Sequence, residues 1–517
     1  MKPSIRLGSR TSSSSLVLAL GAAAFVAACG GSDKKVSSGT APDDGPWTKG
    51  VKLEAEAQTG GNAENGKDVL LNGSYMSCGV PLKLWNDPTF GPFVQQALKP
   101  EGETHVEGRT GPNAELPHTL NQFTTSDGAE VVQRNCLSCH SGHFDGELVI
   151  GMGNATADFT GGLAGGAPKG LDESIFASLG LSDAEKTNLH KVLRLSAVFG
   201  DDTVMRTIGQ NPAESFTGVL LSHHDQKTLA WSDEPLVPVV VKDSDGNVMA
   251  EPKLTSDPPP WWRAKKKAAM FYNGMARGEH RGTMELATAI CVEDLPEAKR
   301  VDELFKDIQA YIGTITAPKY PFSIDEALAA KGKNVFEHTC AGCHGTYAAD
   351  AAADDQDTYP NLLIPLDVIQ TDEAVANMGV VHAPDFVPWY NDMFYGSVTP
   401  AAPDDPFPGY MPPPLDGVWA TGPFLHNGSV PTIELVLNSK ARPKYWKRVD
   451  LDDTHFDENA LGFPYEEVDT SWADAPDADK PHIYDTTYWS QGNGGHTFGD
   501  DLTDDERRSV IEYLKTL

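Results

Sequence analysis

The sequence predicts a mostly α-helical fold with long loops, built as two domains of similar plan. Three observations lead to this prediction. A Cys-x-x-Cys-His motif occurs twice, at residues 136–140 (the first motif) and at residues 340–344 (the second motif). The chain has 517 residues, which is more than one ordinary hydrophobic core holds. Its 49 glycines and 37 prolines favour short helices joined by ordered loops.

Both motifs match the attachment pattern of c-type haem. Two thiols three residues apart lie on one helical turn and reach the vinyl groups of one porphyrin, while the next histidine binds the haem iron. The alternative, buried structural cysteines, does not explain two copies. We therefore predict two covalently bound haem c groups. Their predicted binding residues are Cys136, Cys139 and His140 in the first motif and Cys340, Cys343 and His344 in the second, with His140 and His344 as axial ligands of iron.

Helical patterns lead into the second motif and close the chain. Residues 324–336 predict a helix that delivers the second motif. Residues 502–514 carry apolar side chains at helical spacing, after a capping box formed by Thr503 and Glu506. Two such helices crossing each other are the plan of a small cytochrome c domain. The second half is therefore predicted to be cytochrome c-like.

The first half repeats the motif with weaker helical signals. Residues 126–135 predict a short helix before the first motif, and Ser182 with Glu185 predicts the start of another helix. Prolines 318 and 321 mark the expected boundary between the halves. The predicted organisation is a signal peptide (residues 1–28), a flexible tether (29–67), a first haem domain (68–318) and a second cytochrome c domain (319–517).

The amino terminus predicts an exported lipoprotein. Lys2, Arg6 and Arg10 precede an apolar run at residues 16–28, which is too short to span a membrane. Small residues precede Cys29, as in a bacterial lipobox; plain signal cleavage beside an incidental cysteine is the alternative. We expect lipidation at Cys29, membrane contact through that lipid, and an outer-membrane-anchored protein that faces the periplasm or the cell surface.

The charge of the chain restricts its partners. A formal net charge of −32 at pH 7 excludes nucleic acid, because binding nucleic acid requires a basic surface. A basic redox protein attracted by this charge is compatible with it, although a generally acidic solvated surface explains the charge more simply. The expected partners are a small redox protein or a small-molecule electron donor or acceptor.

A block around His426 resembles a known family. Residues 414–432 resemble the block shared by bacterial di-haem cytochrome c peroxidases and their MauG-type relatives. Residues 148–151 and 495–499, with Asn135 before the first motif, most resemble the rubber (latex) oxygenase branch. The resemblance implies two cytochrome c-like domains, with one haem for electron transfer and one that reacts with peroxide or dioxygen. It also implies a Ca²⁺ ion at the domain interface.

The sixth ligand of the second haem is open among several residues. The peroxidases have a methionine ligand after their counterpart of His426, whereas residues 438–442 here contain none. The candidates are His426, His496, Met411 and Met378. We favour His496, because it follows a flexible glycine run and just precedes the closing helix. His426 is expected nearby as a hydrogen-bonding, cofactor-binding residue.

The first haem is predicted to be the reactive one. After His140, the next histidines are His143, which is too close to swing over the haem, and His190. His140 therefore holds a haem whose sixth position is expected to be free for an oxidant. Trp261 and Trp262 are either a catalytic relay and distal lid or ordinary core aromatics.

Two cysteines and a basic run remain. Cys78 and Cys291 are the pair left after lipid and haems, and in an oxidising compartment we expect a disulfide between them rather than two buried thiols. Residues 265–267 are three lysines, for which a solvated face is favoured over haem propionate binding.

The sequence thus predicts an exported di-haem c-type cytochrome that acts as a peroxidase-like or oxygenase-like oxidoreductase. The alternative is a non-catalytic periplasmic electron carrier in which both haems are six-coordinate. The two hypotheses differ in whether one iron has an open position.

Overall fold

This computed structural model describes residues 45–98, 105–161, 177–199, 203–240, 247–249, 253–348, 356–378 and 384–517. The predicted signal peptide and Cys29 lie outside these residues. The described residues all belong to one compact unit, Ser38–Leu517. The division into two cytochrome c-like domains near residue 318 therefore stays a prediction.

Helices contribute 36% of the structure and strands 12%, so helices predominate, but small sheets that the sequence analysis did not anticipate are present. The α-helices of the described residues are α1 (Ala63–Asn72), α2 (Leu82–Trp85), α3 (Gly91–Leu98), α4 (Asp183–Leu193), α5 (Leu195–Phe199), α6 (Ala213–Ser222), α7 (Arg281–Met284), α8 (Leu295–Ile312), α9 (Glu326–Thr339), α10 (Ala341–His344), α11 (Leu366–Ile369), α12 (Phe386–Asn391), α13 (Phe394–Val398), α14 (Ile433–Val436) and α15 (Asp504–Leu514).

The strands are short and antiparallel. They are β1 (Val51–Lys52), β2 (Val80–Pro81), β3 (Leu120–Thr124), β4 (Glu130–Arg134), β5 (Ser141–Phe144), β6 (Glu147–Ile150), β7 (Leu362–Pro365), β8 (Gly409–Tyr410), β9 (Tyr445–Arg448), β10 (Tyr465–Glu467) and β11 (Ile483–Asp485). Across the described ranges they form the sheets β2-β4-β3, β1-β7-β8 and β10-β9-β11 and the hairpin β5-β6. Short 3₁₀ helices include Pro46–Lys49, Cys136–Ser138, Trp261–Lys266 and Leu286–Ile290.

The two helices predicted around the second motif are confirmed as α9 and α15. The Asp325 side chain caps α9, and Thr503 with Glu506 forms the predicted capping box of α15. The helices cross where Gly332 meets Ser509, because a Cβ atom on Gly332 would lie only 1.7 Å from the Ser509 carbonyl oxygen. The absence of a side chain at Gly332 thus sets the distance between the two helices.

The short helix predicted at residues 126–135 is wrong. Strand β4 occupies this segment and pairs with β3 over five residues. Val131 and Val132 are fully buried, and β-branched side chains buried in a sheet favour a strand over a helix. Gly128, with a φ of +89°, makes the turn between the strands. In contrast, the Ser182–Glu185 capping box predicted for α4 is confirmed.

A disulfide bond joins Cys78 to Cys291, with 5.2 Å between their Cα atoms. Both cysteines are buried in one cluster with Leu120, Val132 and Leu189. The bond connects the segment before β2 to the residue after the 3₁₀ helix Leu286–Ile290. It closes a loop of 213 residues within the half that carries the first motif.

Residues 45–67 pack against the body, although the sequence analysis placed them in a flexible tether. The 3₁₀ helix Pro46–Lys49 is followed by β1, which pairs with β7, and Leu53 is 4% exposed. Helix α1 begins within the same segment and packs on α8. The apolar side chains of Trp47 and Leu53, spaced among polar residues, account for this ordered attachment.

Hydrophobic clusters surround both motifs. One includes Leu137 of the first motif together with Trp261 and Phe305, and another includes Ala341 of the second motif together with Phe336. Each motif is therefore buried in its own core. No helix in the described ranges is both long enough and apolar enough to cross a membrane.

Gly332→Ala should lower the free energy of unfolding by about 1–3 kcal/mol, because the added methyl group forces α9 and α15 apart. Urea denaturation of the haem-loaded protein, followed by circular dichroism, measures this change. Gly60→Ala is the matched control, since a Cβ atom there meets nothing within 4 Å. A denaturation midpoint equal to that of the wild-type protein would contradict the close helix crossing.

Candidate functional site

A cavity of about 1380 Å³ connects the two motifs. Its wall includes all four motif cysteines and both motif histidines, and none of these cysteines is in a disulfide bond. The volume exceeds the roughly 300–1,000 Å³ that is usual for one small-molecule site. The cavity therefore has the size and the chemical groups for more than one large covalently bound cofactor.

The second motif is held on a single helical turn. Cys340 precedes α10, which contains Cys343 and His344. His344 Nδ1 lies 2.9 Å from the Pro413 carbonyl oxygen, and because a carbonyl only accepts, this nitrogen donates. Nε2 is then the nitrogen left for iron. Burial lowers the pKa of His344 to about 4, so that the imidazole is neutral, the form that binds a metal.

His496 and His344 both line the cavity and lie close to each other. The centroids of their rings are 6.2 Å apart. A metal–imidazole bond of about 2 Å and a further ~1.1 Å from nitrogen to ring centroid, on each side, require roughly this separation. Burial lowers the pKa of His496 to about 3 and keeps it neutral. The spacing fits two imidazoles on one iron.

The backbone that carries His496 is fixed in an unusual conformation. His496 has a φ of +43°, in the left-handed region that non-glycine residues seldom adopt. Its N–H donates to the Ile369 carbonyl over 2.8 Å. Such a conformation persists only where the surroundings enforce it, and it is typical of functional sites.

Arg442 enforces this conformation, and the sequence analysis passed over it. Its guanidinium donates to the carbonyls of Asn493 and Gly495 over 2.7 Å and of His496 over 3.1 Å. Burial lowers the pKa of Arg442 to about 10, which leaves it charged. In the sequence, the only sign of this role was that Arg442 lies in the segment where the peroxidases have a methionine ligand of haem iron. Arg442 is a positioning residue for His496.

The other candidates for the sixth ligand of the second haem make different contacts. The ring of His426 stacks on Tyr410 with 4.2 Å between centroids, and His426 Nε2 shares a hydrogen bond of 3.1 Å with the Tyr410 hydroxyl. His426 lines the cavity, as the prediction of a hydrogen-bonding residue implies. Met411 is 2% exposed and also lines the cavity, whereas Met378 packs against the cluster that contains Cys343.

The first motif has a different local structure. Cys136 begins the 3₁₀ helix Cys136–Ser138, Cys139 follows its last residue, and the hairpin β5-β6 comes directly after the motif. The ring of His140 stacks on Trp261 with 4.9 Å between centroids and 25° between planes. The Gly151 N–H donates to the His140 carbonyl, and the Trp261 N–H donates to the Gly151 carbonyl over 2.7 Å. Gly151, directly after β6, thus connects Trp261 to the first motif through backbone hydrogen bonds.

Two identical proline runs line the same cavity as the two motif histidines. Residues 258–260 and 412–414 are both Pro-Pro-Pro. The carbonyl of the middle proline, Pro413, accepts from His344, and the carbonyl of the middle proline of the other run, Pro259, raises the proton affinity of His140. Burial is the larger effect and lowers the pKa of His140 to about 4. The sequence analysis missed this repeat, although the matched runs were visible in it.

Trp262 and Arg263 connect the two halves of the site. Trp262 Nε1 donates to the Asp416 carbonyl over 2.8 Å, and Arg263 Nε donates to the same oxygen over 3.0 Å. Trp262 is 1% exposed. Asp416 lies three residues beyond Pro413. The segment after the first proline run is therefore fastened to the segment after the second.

The three lysines of the basic run separate. Lys265 is exposed, and Lys266 forms salt bridges with Asp357 and Asp416. Lys267 lines the cavity, and burial lowers its pKa to about 8. Lys267 and the neighbouring Arg263 are thus cations at the cavity wall, where they suit the carboxylates of haem propionates.

Two further histidines lie near the first motif; the sequence analysis considered His143 only as a residue too close to His140 to act as a ligand, and it passed over His118. His118 and His143 both line the cavity, with 6.2 Å between ring centroids. His118 Nε2 already shares a hydrogen bond of 2.9 Å with Ser141 Oγ. Ser141 in turn donates to the Leu137 carbonyl. This network stabilises the motif.

Part of this site matches a known family. Residues 409–447 match the model of a family described as RoxA-like, cytochrome c-like. The matched segment is similar to this cytochrome c-like family. It contains Pro413, His426 and Arg442, and it supports a haem-containing, oxidoreductase-like protein. It supports the rubber oxygenase and cytochrome c family loosely.

Two relatives occur in Sinorhizobium fredii (strain NBRC 101917 / NGR234). The chain is 28% identical to the uncharacterized protein y4iJ over 264 residues, which cover 39% of this chain and 41% of the relative. It is 26% identical to the uncharacterized protein y4iM over 228 residues, which cover 38% of this chain and 50% of the relative. The chain thus spans half or less of the length of these curated relatives.

No group of three or more His, Cys, Asp or Glu side chains in the described residues is arranged to hold a metal ion. For the Ca²⁺ ion that the family resemblance implies, the described ranges therefore contain no such group of side chains.

His496→Ala should convert one low-spin ferric haem signal to high-spin, because the second iron loses its sixth ligand. Low-temperature electron paramagnetic resonance of the oxidised protein measures the change, and the other haem signal should stay as it is. His426→Ala is the matched control and should leave both signals in place. The assignment is refuted if His426→Ala, and not His496→Ala, produces the high-spin signal.

Proposed function

We propose that this chain is an exported di-haem c-type cytochrome with oxidoreductase activity, either peroxidase-like or oxygenase-like. In this proposal the haem of the first motif reacts with peroxide or dioxygen, and the haem of the second motif transfers electrons. The match of residues 409–447 to a cytochrome c-like family supports the haem-containing, oxidoreductase-like character. The geometry of the two motifs supports the division of roles.

The different surroundings of His140 and His344 carry this proposal. His344 has a second imidazole, that of His496, at the spacing of two ligands on one iron. The ring in contact with His140 is the indole of Trp261, which stacks on the imidazole and therefore lies beside it rather than on the opposite side of the haem. A haem with one protein ligand keeps a coordination position for an external oxidant.

The residues present fit two haem groups. Each motif offers two thiols and a neutral imidazole to the same cavity, and Arg263 and Lys267 offer cations for propionates. When bound, haem supplies an iron that changes oxidation state and binds small oxidants. Near the first motif the wall combines the apolar side chains of Phe199 and Phe305 with the imidazoles of His118 and His143.

Trp261 and Trp262 support an electron relay between the motifs. Trp261 stacks on His140, and its chain neighbour Trp262 donates a hydrogen bond to the Asp416 carbonyl. From Asp416 the chain leads back to Pro413, whose carbonyl accepts from His344. Stacking, two hydrogen bonds and short stretches of backbone thus join the two motif histidines. The same contacts also serve core packing, since Trp262 is almost fully buried.

The non-catalytic electron carrier is the second candidate, and one residue favours it. Met76 is 6% exposed, lines the cavity, and belongs to the cluster that contains Leu137 of the first motif. A thioether sulfur is a ligand of haem iron in electron-transfer cytochromes. If Met76 occupies the sixth position of the first haem, both haems are six-coordinate and the chain only carries electrons.

Cyanide and hydrogen peroxide should react with the haem of the first motif and leave the haem of the second motif unchanged. The starting sample is wild-type protein that a pyridine haemochrome assay shows to contain two haems per chain. Each haem is then followed by its own absorbance and electron paramagnetic resonance signals. Met76→Leu should not change the cyanide binding if the first position is open.

The electron-carrier hypothesis is favoured over the enzyme hypothesis under two conditions. Neither haem of the wild-type protein binds cyanide or peroxide, and Met76→Leu creates such binding. One haem per chain in the pyridine haemochrome assay would reject both candidates, because each requires two.

Lipid anchoring at Cys29 completes the proposal, together with an acidic surface that attracts a basic redox partner. Cys29→Ser should move the protein from the membrane fraction to the soluble fraction, because the lipid would be its attachment. Fractionation with immunodetection measures this, and Cys29→Ser protein that stays in the membrane fraction would contradict the anchor.

A further inference from the structure

The first described residues form a strap across the second motif. We define the strap as residues 45–53. Its strand β1 pairs with β7 through Val51 and Lys52, and the Leu53 N–H donates to the Asn361 carbonyl over 2.8 Å. Gly50 lies against Ile364, because a Cβ atom there would be 2.7 Å from Ile364 Cδ1. The strap is therefore fixed to the sheet beside the motif.

Within the strap, Trp47 lies directly on the second motif. A Cβ atom on Gly342 would be 2.1 Å from the indole atom Cδ2 of Trp47. Gly342 is one of the two residues between Cys340 and Cys343. The indole also meets Gly45, where a Cβ atom would be 2.1 Å from Cη2 and Cζ2. Trp47 thus packs closely against two glycines, one of which lies in the turn that carries both thiols.

Trp47 lies at the boundary between the interior of the protein and its surface. Trp47 is half-buried, and Thr48 and Lys49, which follow it, are exposed. Pro46, which precedes it, lines the cavity. Covalent bonds to Cys340 and Cys343 would fix one edge of a porphyrin at this turn. The indole packs on the same turn and is partly exposed to solvent.

We propose that Trp47 is the residue through which electrons pass between an external one-electron redox partner and the haem of the second motif. This inference rests on the proposed electron-transfer role of that haem. The partner loses one electron and is oxidised, and the iron of the second haem is reduced from ferric to ferrous. No bond forms or breaks, and no proton is transferred. A delocalised π system in contact with both sides suits this transfer better than aliphatic side chains do.

The other role for Trp47 is packing alone. An aromatic side chain between two glycines contributes buried apolar area, and its loss destabilises the strap. A packing role predicts lower stability with unchanged rates of electron uptake. A shielding role predicts faster uptake once the indole is removed. Both outcomes differ from that of a relay.

The test measures the reduction of the oxidised two-haem protein by hexaammineruthenium(II), a small outer-sphere one-electron reductant, in a stopped-flow spectrometer. The second-order rate constant for the second haem in Trp47→Leu should fall about tenfold, equivalent to ~1.4 kcal/mol of activation free energy. Trp47→Phe, which keeps an aromatic ring, should restore most of the rate. Haem content and the low-spin signal should match the wild-type protein in both variants.

Trp472→Leu is the matched control, since Trp472 is also half-buried but contacts Arg206 and Tyr488 instead of a motif. It should leave the rate unchanged. If Trp47→Leu does not fold, Trp47→Met takes its place, because the flexible methionine side chain fills the same gap. A rate that is unchanged or faster in the folded variant overturns the proposal. Loss of the second haem from the wild-type protein would instead overturn the proposed function.

Discussion

The contact between His344 and a Pro-Pro-Pro run is the constraint on which the second motif depends. Proline has no N–H, so the run offers only carbonyl oxygens and keeps a rigid, extended backbone. In the second motif the Pro413 carbonyl fixes the tautomer and the orientation of His344. The run at 258–260 leads directly into Trp261, whose indole stacks on His140. Both runs continue into segments that are bonded to each other through Asp416.

The same five-residue motif acquires two different environments. Around His344, the loop of His496 is held by Arg442 in a left-handed conformation and brings a second imidazole into place. Around His140, a β-hairpin and Trp261 occupy the space. Identical covalent chemistry can therefore support different redox roles, because the axial ligand and the polarity of the pocket tune the iron.

Segments that are distant in the chain complete each site. The strap at residues 45–53 lies on the second motif, and the disulfide between Cys78 and Cys291 closes the half that contains the first. Trp262 reaches across to Asp416. The two halves are thus interlocked rather than joined by a single linker, and this is why the described residues form one compact unit.

The sequence by itself determined the covalent and local features. Both motifs and the capping of α4, α9 and α15 depend on residues close together in the chain, whose spacing dictates the chemistry. Only the tertiary structure decided the rest. Burial of Val131 and Val132 made a strand where local propensity suggested a helix. The pairing of Pro413 with His344 and of Arg442 with the loop of His496 joins residues 69 and 54 positions apart, and no local pattern records such a contact.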